Sequence, residues 1–382
     1  MRAFLDATEV TVHCQQMSRT PQLNDLYQAQ LRLPSQYASG IAPGDTELII
    51  TDNAGTTELH AGPCWYGEDD GDPNDQMIGV TSYDDRVKWP YRQMMDPDGD
   101  YSDPDIFEVN EDAVTVMFAA IQNSITNDGS MGITVNSYTP STIPLVGFKP
   151  TDFPWNLDQL WKFLVDTGEL DIMLNPASGG ASTVDLYPGD AGTDLSGSVV
   201  FDYNTGTHNC ANAKFTFDMK NVITRIRYFL GPKRPQYRND IQHWAGDVQI
   251  DDPDLDLPPW DVRQPTIEAQ SAAMESVTGL MRDTRVYDSI PKELGGEITL
   301  KDLYFALWQT EMLVRTVPRR LLQITPQPGI SPAFNVADLI TVNAVMADTY
   351  GGVQRVHAFT VEQDTEGNES ITQLVTTADG EL

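Results

Sequence analysis

The sequence predicts an α+β, β-rich chain: two β regions, a small α+β segment between them, and an insertion interrupting the second. Three observations carry this reading. Short alternating runs bounded by Gly, Asp, Asn and Pro fill residues 1–100 and return after residue 195. Two runs with apolar residues at helical spacing lie between them. A meander of three alternating runs occupies the end of residues 325–382, with too few strands to be stable unpaired.

In the first hundred residues "AQLRLPS" is followed by "TELIIT", the turn "DNAG" and "TTELHAGPCWYG", a hairpin signature. After the polar loop "EDDGDPNDQ" comes "MIGVTSY", leading into "DDRVKWPYRQ". Such spacing suggests a small barrel or sandwich. A helix is expected next, capped by Asn110, with Val114, Met117, Phe118, Ile121 and Ile125 on one face and a stop at Asn127 to Gly129. A second follows, capped by Asn156, with Leu157, Leu160, Trp161 and Leu164 inward and Gly168 at its end. The run "ELDIMLNP" alternates like a strand, so 101–194 reads as an α+β domain.

β character resumes in "SGSVVFDYN", "AKFTFDM" and "VITRIRYFLG". Two further helices are expected, at Thr266 to Arg282 and at Thr299 to Thr316; Thr299 and Asp302 form the capping pair of the latter and Pro318 ends it. The closing meander is "ADLITVNAVM", "VQRVHAFTVEQ" and "ESITQLVTT". Its natural partners are "KFTFDM" and "VITRIRYFLG". The expected division is therefore 1–100, 101–194, a second β unit from 195–238 and 325–382, and a loop and helical insertion at 239–324.

The chain has 24 basic and 56 acidic residues in 382, a formal charge of −32. That balance opposes duplex-DNA reading, which needs a basic footprint, and an anionic membrane surface. High-salt adaptation, solubility and repulsion of nucleic acid would each produce it. No apolar run reaches the roughly 18 residues of a spanning helix, and "MRAFLDATEVTVHCQQ" lacks the apolar core of a secretory signal. A protein that is soluble, or joins a soluble particle, is expected. Cys14, Cys64 and Cys210 are far apart and read as buried free thiols.

Motifs for chemistry are scarce. There is no phosphate-binding glycine loop, no GxSxG and no HExxH, and His13, His60, His208, His243 and His357 lack metal spacing. His208 and Cys210 are neighbours in "TGTHNCANA", where a turn seldom lets a nucleophile and base meet. "DPDGDYSDPDIFE" sets Asp96, Asp98 and Asp100 at the spacing of a calcium loop, but Tyr101 stands where the turn glycine belongs and Phe107 where the bidentate acid belongs. A solvated acidic linker fits better, with calcium as the minority reading. No catalytic residue and no cofactor is assigned.

"KNVITRIRYFLG" is a strand whose one face carries Ile223, Arg225, Arg227 and Phe229. A mixed face of this kind suits contact with another subunit, where Arg is favoured. It suits equally a local ion pair with the chain's own carboxylates.

The order of parts resembles the tail-tip (baseplate) hub, a minor tail protein, of long-tailed bacterial and archaeal viruses. The resemblance runs through "LHAGPCWYG", "IGVTSYDDRVKWPYRQ", "LDQLWKFLVDTGELDIML", "VVFDYN", "NVITRIRYFLG" and the closing "ADLITVNAV" and "RVHAFTVEQDTEG". The family's closing hairpin often begins Gly-Asp, where this chain has Ala337-Asp338. The resemblance implies two small antiparallel β-barrels of tail-hub type per subunit and a homotrimeric ring adapting a sixfold tube to a threefold tip. It implies a structural virion protein at the tail tip, assembled in the host cytoplasm, not an enzyme and not inserted in a membrane. Its partners would be its own copies, the distal tail or tube protein, the tape-measure protein and downstream tip or fibre proteins, with DNA only passing through the lumen. The alternatives are a calcium-dependent host-surface binding module and a tail-associated glycan hydrolase, for which two carboxylates suffice.

Overall fold

The computed structural model describes residues 1–69, 76–92, 112–140, 156–166, 170–189, 191–203, 209–218, 222–230, 242–245, 266–270, 275–276, 280–287, 319–343, 352–364 and 366–378. The first β region supplies β1 (Arg2–Leu5), β2 (Thr8–Glu9), β3 (Gln16–Thr20), β4 (Gln28–Pro34), β5 (Glu47–Thr51), β6 (Glu58–Asp69) and β7 (Met77–Tyr83). β5 and β6 form the expected hairpin around Asp52–Thr57, held by Asp52 accepting from Thr56 N and Oγ1. "DDRVKWPY" is a 3-10 helix, Asp85–Tyr91, whose cap Asp84 accepts from Arg86 N. Gly62 in β6 is demanded by packing: a Cβ there would lie 2.0 Å from the Tyr83 carbonyl oxygen.

α1 (Ala113–Asp128) starts later than the sequence suggested. Its cap is Asp112, which accepts from Val114 N, Thr115 N and Thr115 Oγ1, not Asn110, which lies outside the described residues. A carboxylate there satisfies two end donors and meets the positive end of the helix. Val114, Met117 and Ile121 are buried as expected, Phe118 stacks on Tyr138 at 4.2 Å, and Gly129, at φ +79, stops the helix. β8 (Ile133–Tyr138) follows. α2 (Leu157–Asp166) has the expected cap, with Asn156 accepting from Gln159 N and Gln159 Oε1 accepting from Asn156 N. Leu157, Leu160, Trp161 and Leu164 are all buried; Gly168 is outside the described residues. β9 (Asp171–Asn175) and β10 (Ser182–Tyr187) complete a three-stranded sheet in the order β8–β10–β9.

The remaining strands are β11 (Val200–Asp202), β12 (Cys210–Asp218), β13 (Arg225–Leu230), β14 (Gln242–Ala245), β15 (Thr266–Gln270), β16 (Arg282–Tyr287), β17 (Arg319–Pro326), β18 (Leu339–Asn343), β19 (Gly352–Gln363) and β20 (Glu369–Ala378). The meander β18–β19–β20 is as expected. Of its two expected partners, β12 joins through β17. "VITRIRYFLG" does not: β13 lies in a separate four-stranded sheet, β14–β15–β13–β16. The helix expected over Thr266 to Arg282 is corrected at its ends, where β15 takes the start and β16 begins at Arg282; between them Glu275 and Ser276 are helical. The β-branched and extended runs "TIEAQ" and "RDTRVY" find a strand partner in β13, and tertiary pairing outweighs helix propensity. The helix expected over Thr299 to Thr316 falls outside the described residues.

A single curled sheet, mostly antiparallel, carries the rest in the order β12–β17–β20–β19–β3–β4–β7–β6–β5–β1–β2, with β18 attached to β19 and β11 to β18. The two β regions are therefore fused. Val361, Glu362 and Gln363 of β19 pair with Arg19, Ser18 and Met17 of β3. The chain is β-rich with few helices, as expected. The core is continuous from the first β region through α1 and α2 to the C-terminal strands.

Ala337 sits at φ +72, fully buried, with its carbonyl against Gly192, itself at φ +106. A left-handed backbone costs an L residue about 1–2 kcal/mol, which explains why Gly-Asp is a natural start for this hairpin. Ala337→Gly relieves that strain while adding about 0.5–1 kcal/mol of chain entropy, so urea unfolding is expected within about 1 kcal/mol of the parent. Ala337→Val should lose more than about 2 kcal/mol, since β-branching is worst tolerated at positive φ.

Candidate functional site

Placing the sequence candidates narrows the choices. Asp96, Asp98 and Asp100 lie outside the described residues, as does His208. Cys210 is buried and burial pushes its thiol up to about 11, while Cys64 rises to about 12. Neither is an activated nucleophile. Among the described residues no group of three or more His, Cys, Asp or Glu is arranged to hold a metal. Nor is any helix of the described residues long and apolar enough to cross a membrane. Arg225 donates from Nε and Nη2 to Glu275, both at 2.7 Å, a bidentate pair on an inner strand. Arg227 has Glu268 and Thr284 as its neighbours on β15 and β16.

One Ser–His pair does exist. His60 Nε2 lies 2.9 Å from Ser82 Oγ, and Asp84 is close enough to act on the imidazole. The arrangement has the residue types of a hydrolase but not its polarity. Ser82 donates to the Gly62 carbonyl at 2.9 Å, so Nε2 is the donor toward Oγ, the reverse of a base. His60, Ser82 and Asp84 are all essentially inaccessible. Burial pushes His60 down to about 4, with the Asp84 charge acting the other way. It is a neutral core histidine.

The charges that organise the molecule are buried. Asp84 and Arg86 pair at 2.9 Å with both side chains inaccessible. Asp84 also accepts from Tyr27 N at 2.5 Å, and Arg86 Nη2 donates to the Asp25 carbonyl at 2.7 Å. The guanidinium packs 5.1 Å from the Tyr27 ring and 5.0 Å from Trp161, which meets Trp89 edge-on at 5.0 Å. Burial alone would lower the Arg86 pKa; the Asp84 carboxylate reverses this, and the pKa is raised. This group docks α2 on the 3-10 helix of the first β region.

The second buried pair joins three parts of the chain. Asp171, at the start of β9, accepts from Arg355 Nη2 of β19 at 2.5 Å, from Asn24 Nδ2 at 2.8 Å and from Ala191 N at 3.1 Å. Arg355 also donates to the carbonyls of Ala191 and Gly189. Asn24 takes a left-handed backbone, φ +56, and its Oδ1 accepts from Ile172 N. Beside it Asp338 accepts from Thr193 N and Asn335 N, both at 2.7 Å. Neither pair had been singled out. Asp171 and Arg355 each interrupt an alternating run, "ELDIMLNP" and "VQRVHAFTVEQ", but the runs do not say that the two face each other.

No protein-family model matches the sequence, and no curated protein matches it. Solved structures do. The 43 kDa tail protein of prophage MuSo2 from Shewanella oneidensis superposes with a TM-score of 0.60 at 12% identity, covering 100% of this chain and 98% of that one. A tail protein from Neisseria meningitidis MC58 gives 0.56 at 10%, over 99% and 96%. The prophage tail protein gp18 of Listeria monocytogenes gives 0.55 at 9%, over 96% and 89%.

Removing one partner of a buried pair strands the other charge, at a cost of about 3–5 kcal/mol. Asp171→Ala and Arg355→Met are each expected to lose that much in urea unfolding, and the double variant less than their sum. His60 binds no proton in the folded chain until about pH 4, whereas the unfolded chain protonates it near 6.5. Its contribution is complete above pH 6.5 and is lost as pH falls toward 4, at up to about 1.4 kcal/mol per pH unit. His60→Gln should flatten that part of the stability profile.

The neighbours are tail proteins, the order of parts read from the sequence pointed to the same class, and the fold of this chain is that of phage tail proteins.

Proposed function

We propose that this chain is a structural subunit of a viral tail-tip hub: three copies form a ring that closes the end of the tail tube and adapts its sixfold symmetry to a threefold tip. The observation that supports this most is the whole-length correspondence with tail proteins in both directions, with a TM-score of 0.60 kept at 12% identity. Fold alone does not define function; here it joins a chain whose Cys64, Cys210 and Ser–His pair are buried and unactivated. Cys14 is half-buried, against the expectation that all three thiols are buried, and burial pushes its thiol up to about 11.

In this reading residues 1–100 give one barrel-like unit. β11, β12 and β18–β20, from 195–238 and 325–382, give the other together with β17 (Arg319–Pro326), which begins inside the expected insertion; 101–194 lies between the two units. Six such units would surround a lumen. Three copies carry −96 formal charges, three times −32. Acidic groups on the lumen would keep passing DNA from adhering, since like charges repel over about one Debye length, roughly 8 Å at physiological salt. The partners of such a ring are the tube above, the tape-measure protein within, and tip or fibre proteins below. In this ring Arg225 and Arg227 are the residues assigned to contact between copies, although Arg225 already has an internal partner in Glu275.

Light scattering on a gel-filtration peak, at low and high salt, should give a mass near three times 42.4 kDa. A strict monomer at both salts overturns the ring. The same titration separates lumen design from halophilic adaptation, because a halophilic protein unfolds when salt is withdrawn.

A further inference from the structure

The solvent face of β3, β4, β7 and β6 carries a trough of about 360 Å³, in the lower part of the roughly 300–1,000 Å³ range of small-ligand sites. Register explains its shape. One row across the four strands reads Gln16, Arg32, Gly79, Glu68; the next reads Ser18, Gln30, Thr81, Tyr66. Gly79 removes a side chain from the middle of the first row and becomes the floor. The register shift between Cys64 and Tyr66 leaves Trp65 without a partner on β7, a bulge that re-aims the strand. Tyr66 is 56% exposed, and its hydroxyl donates to Glu68 Oε2 at 3.2 Å.

The chemistry of this lining selects its ligand. Arg32 only donates, Glu68 only accepts, and the amides of Gln16 and Gln30 do both. Opposite charges on the two sides of Gly79 disfavour an anion or a cation relative to a neutral molecule rich in hydroxyls. Tyr66 adds an aromatic face, tethered by its own hydrogen bond, so little freedom is lost when a flat apolar surface stacks on it. A sugar ring has that combination: one C–H face and a rim of hydroxyls that donate and accept.

We propose that this trough is a binding site for a neutral saccharide, stacked on Tyr66 and hydrogen-bonded by Gln16, Gln30, Arg32 and Glu68. The site goes beyond the hub reading and does not rest on it.

Saturation-transfer NMR on the full chain tests it, with neutral oligosaccharides of glucose, galactose, rhamnose and N-acetylglucosamine as probes. At least one should receive magnetisation. Tyr66→Ala is expected to weaken that sugar by about tenfold, and Tyr66→Phe, which keeps the ring, by much less. Gly79→Val is the independent variant. A Cβ there meets only the Glu68 carbonyl oxygen, at 3.7 Å, so the strand accepts it while the trough fills. It should abolish transfer with an unchanged melting temperature. No transfer to any probe, or transfer that survives both Tyr66→Ala and Gly79→Val, overturns the proposal; so does transfer only to an oligogalacturonate run beside them as the acidic comparison. Mass on the same samples separates the two readings: a monomer that binds sugar keeps the site and removes the ring, and a trimer that binds none does the reverse.

Discussion

The arrangement depends above all on the buried ion pair between Asp171 and Arg355. A charge taken from water is costly unless the partner is close and the remaining hydrogen-bonding capacity is filled. Here the carboxylate takes donors from Arg355, Asn24 and the Ala191 backbone, and the guanidinium reaches the carbonyls of Ala191 and Gly189. Those groups come from the first β region, the three-stranded sheet and the C-terminal strands. Apolar packing would hold the three parts together without fixing their orientation. A hydrogen-bonded charge pair holds in one geometry only.

Asp84 and Arg86 repeat the device one residue along the same loop, where the Asp25 carbonyl accepts from Arg86 as the neighbouring Asn24 donates to Asp171. There the aromatic rings of Tyr27 and Trp161 take the guanidinium faces, so polar and apolar recognition converge on one side chain. The scarcity of cations gives this added weight. With 24 basic residues against 56 acidic, an arginine enclosed in the interior is one withdrawn from an already acidic surface.

Elements with strong local signals were legible in the sequence. The β5–β6 hairpin followed from a turn between two alternating runs, α2 from its Asn156 cap and Leu/Trp stripe, and the closing meander from period-two alternation. Where the outcome depended on remote partners, the reading failed. "TIEAQ" and "RDTRVY" are strands because β13 lies beside them, and nothing within either segment announces β13. The cap of α1 moved from Asn110 to Asp112 because both residue types cap well. The pairs at Asp171 and Asp84 were missed because an aspartate on a strand or loop looks the same in sequence whether it faces water or a guanidinium. The trough at Gly79 depends on register across four strands, information no single segment contains.

The fusion of the two β regions also has a kinetic side. Thr20 and Thr360, 340 residues apart, share a hydrogen bond at the β3–β19 seam, and β3 can complete its ladder only once β19 has been synthesised. Pairing across so long a loop is slow to form. During translation the outer edge of β3 stays open, a template for strands of neighbouring nascent chains. The strongly negative charge, −32 over the chain, acts at this stage. It keeps half-made chains apart until each has closed its own seam.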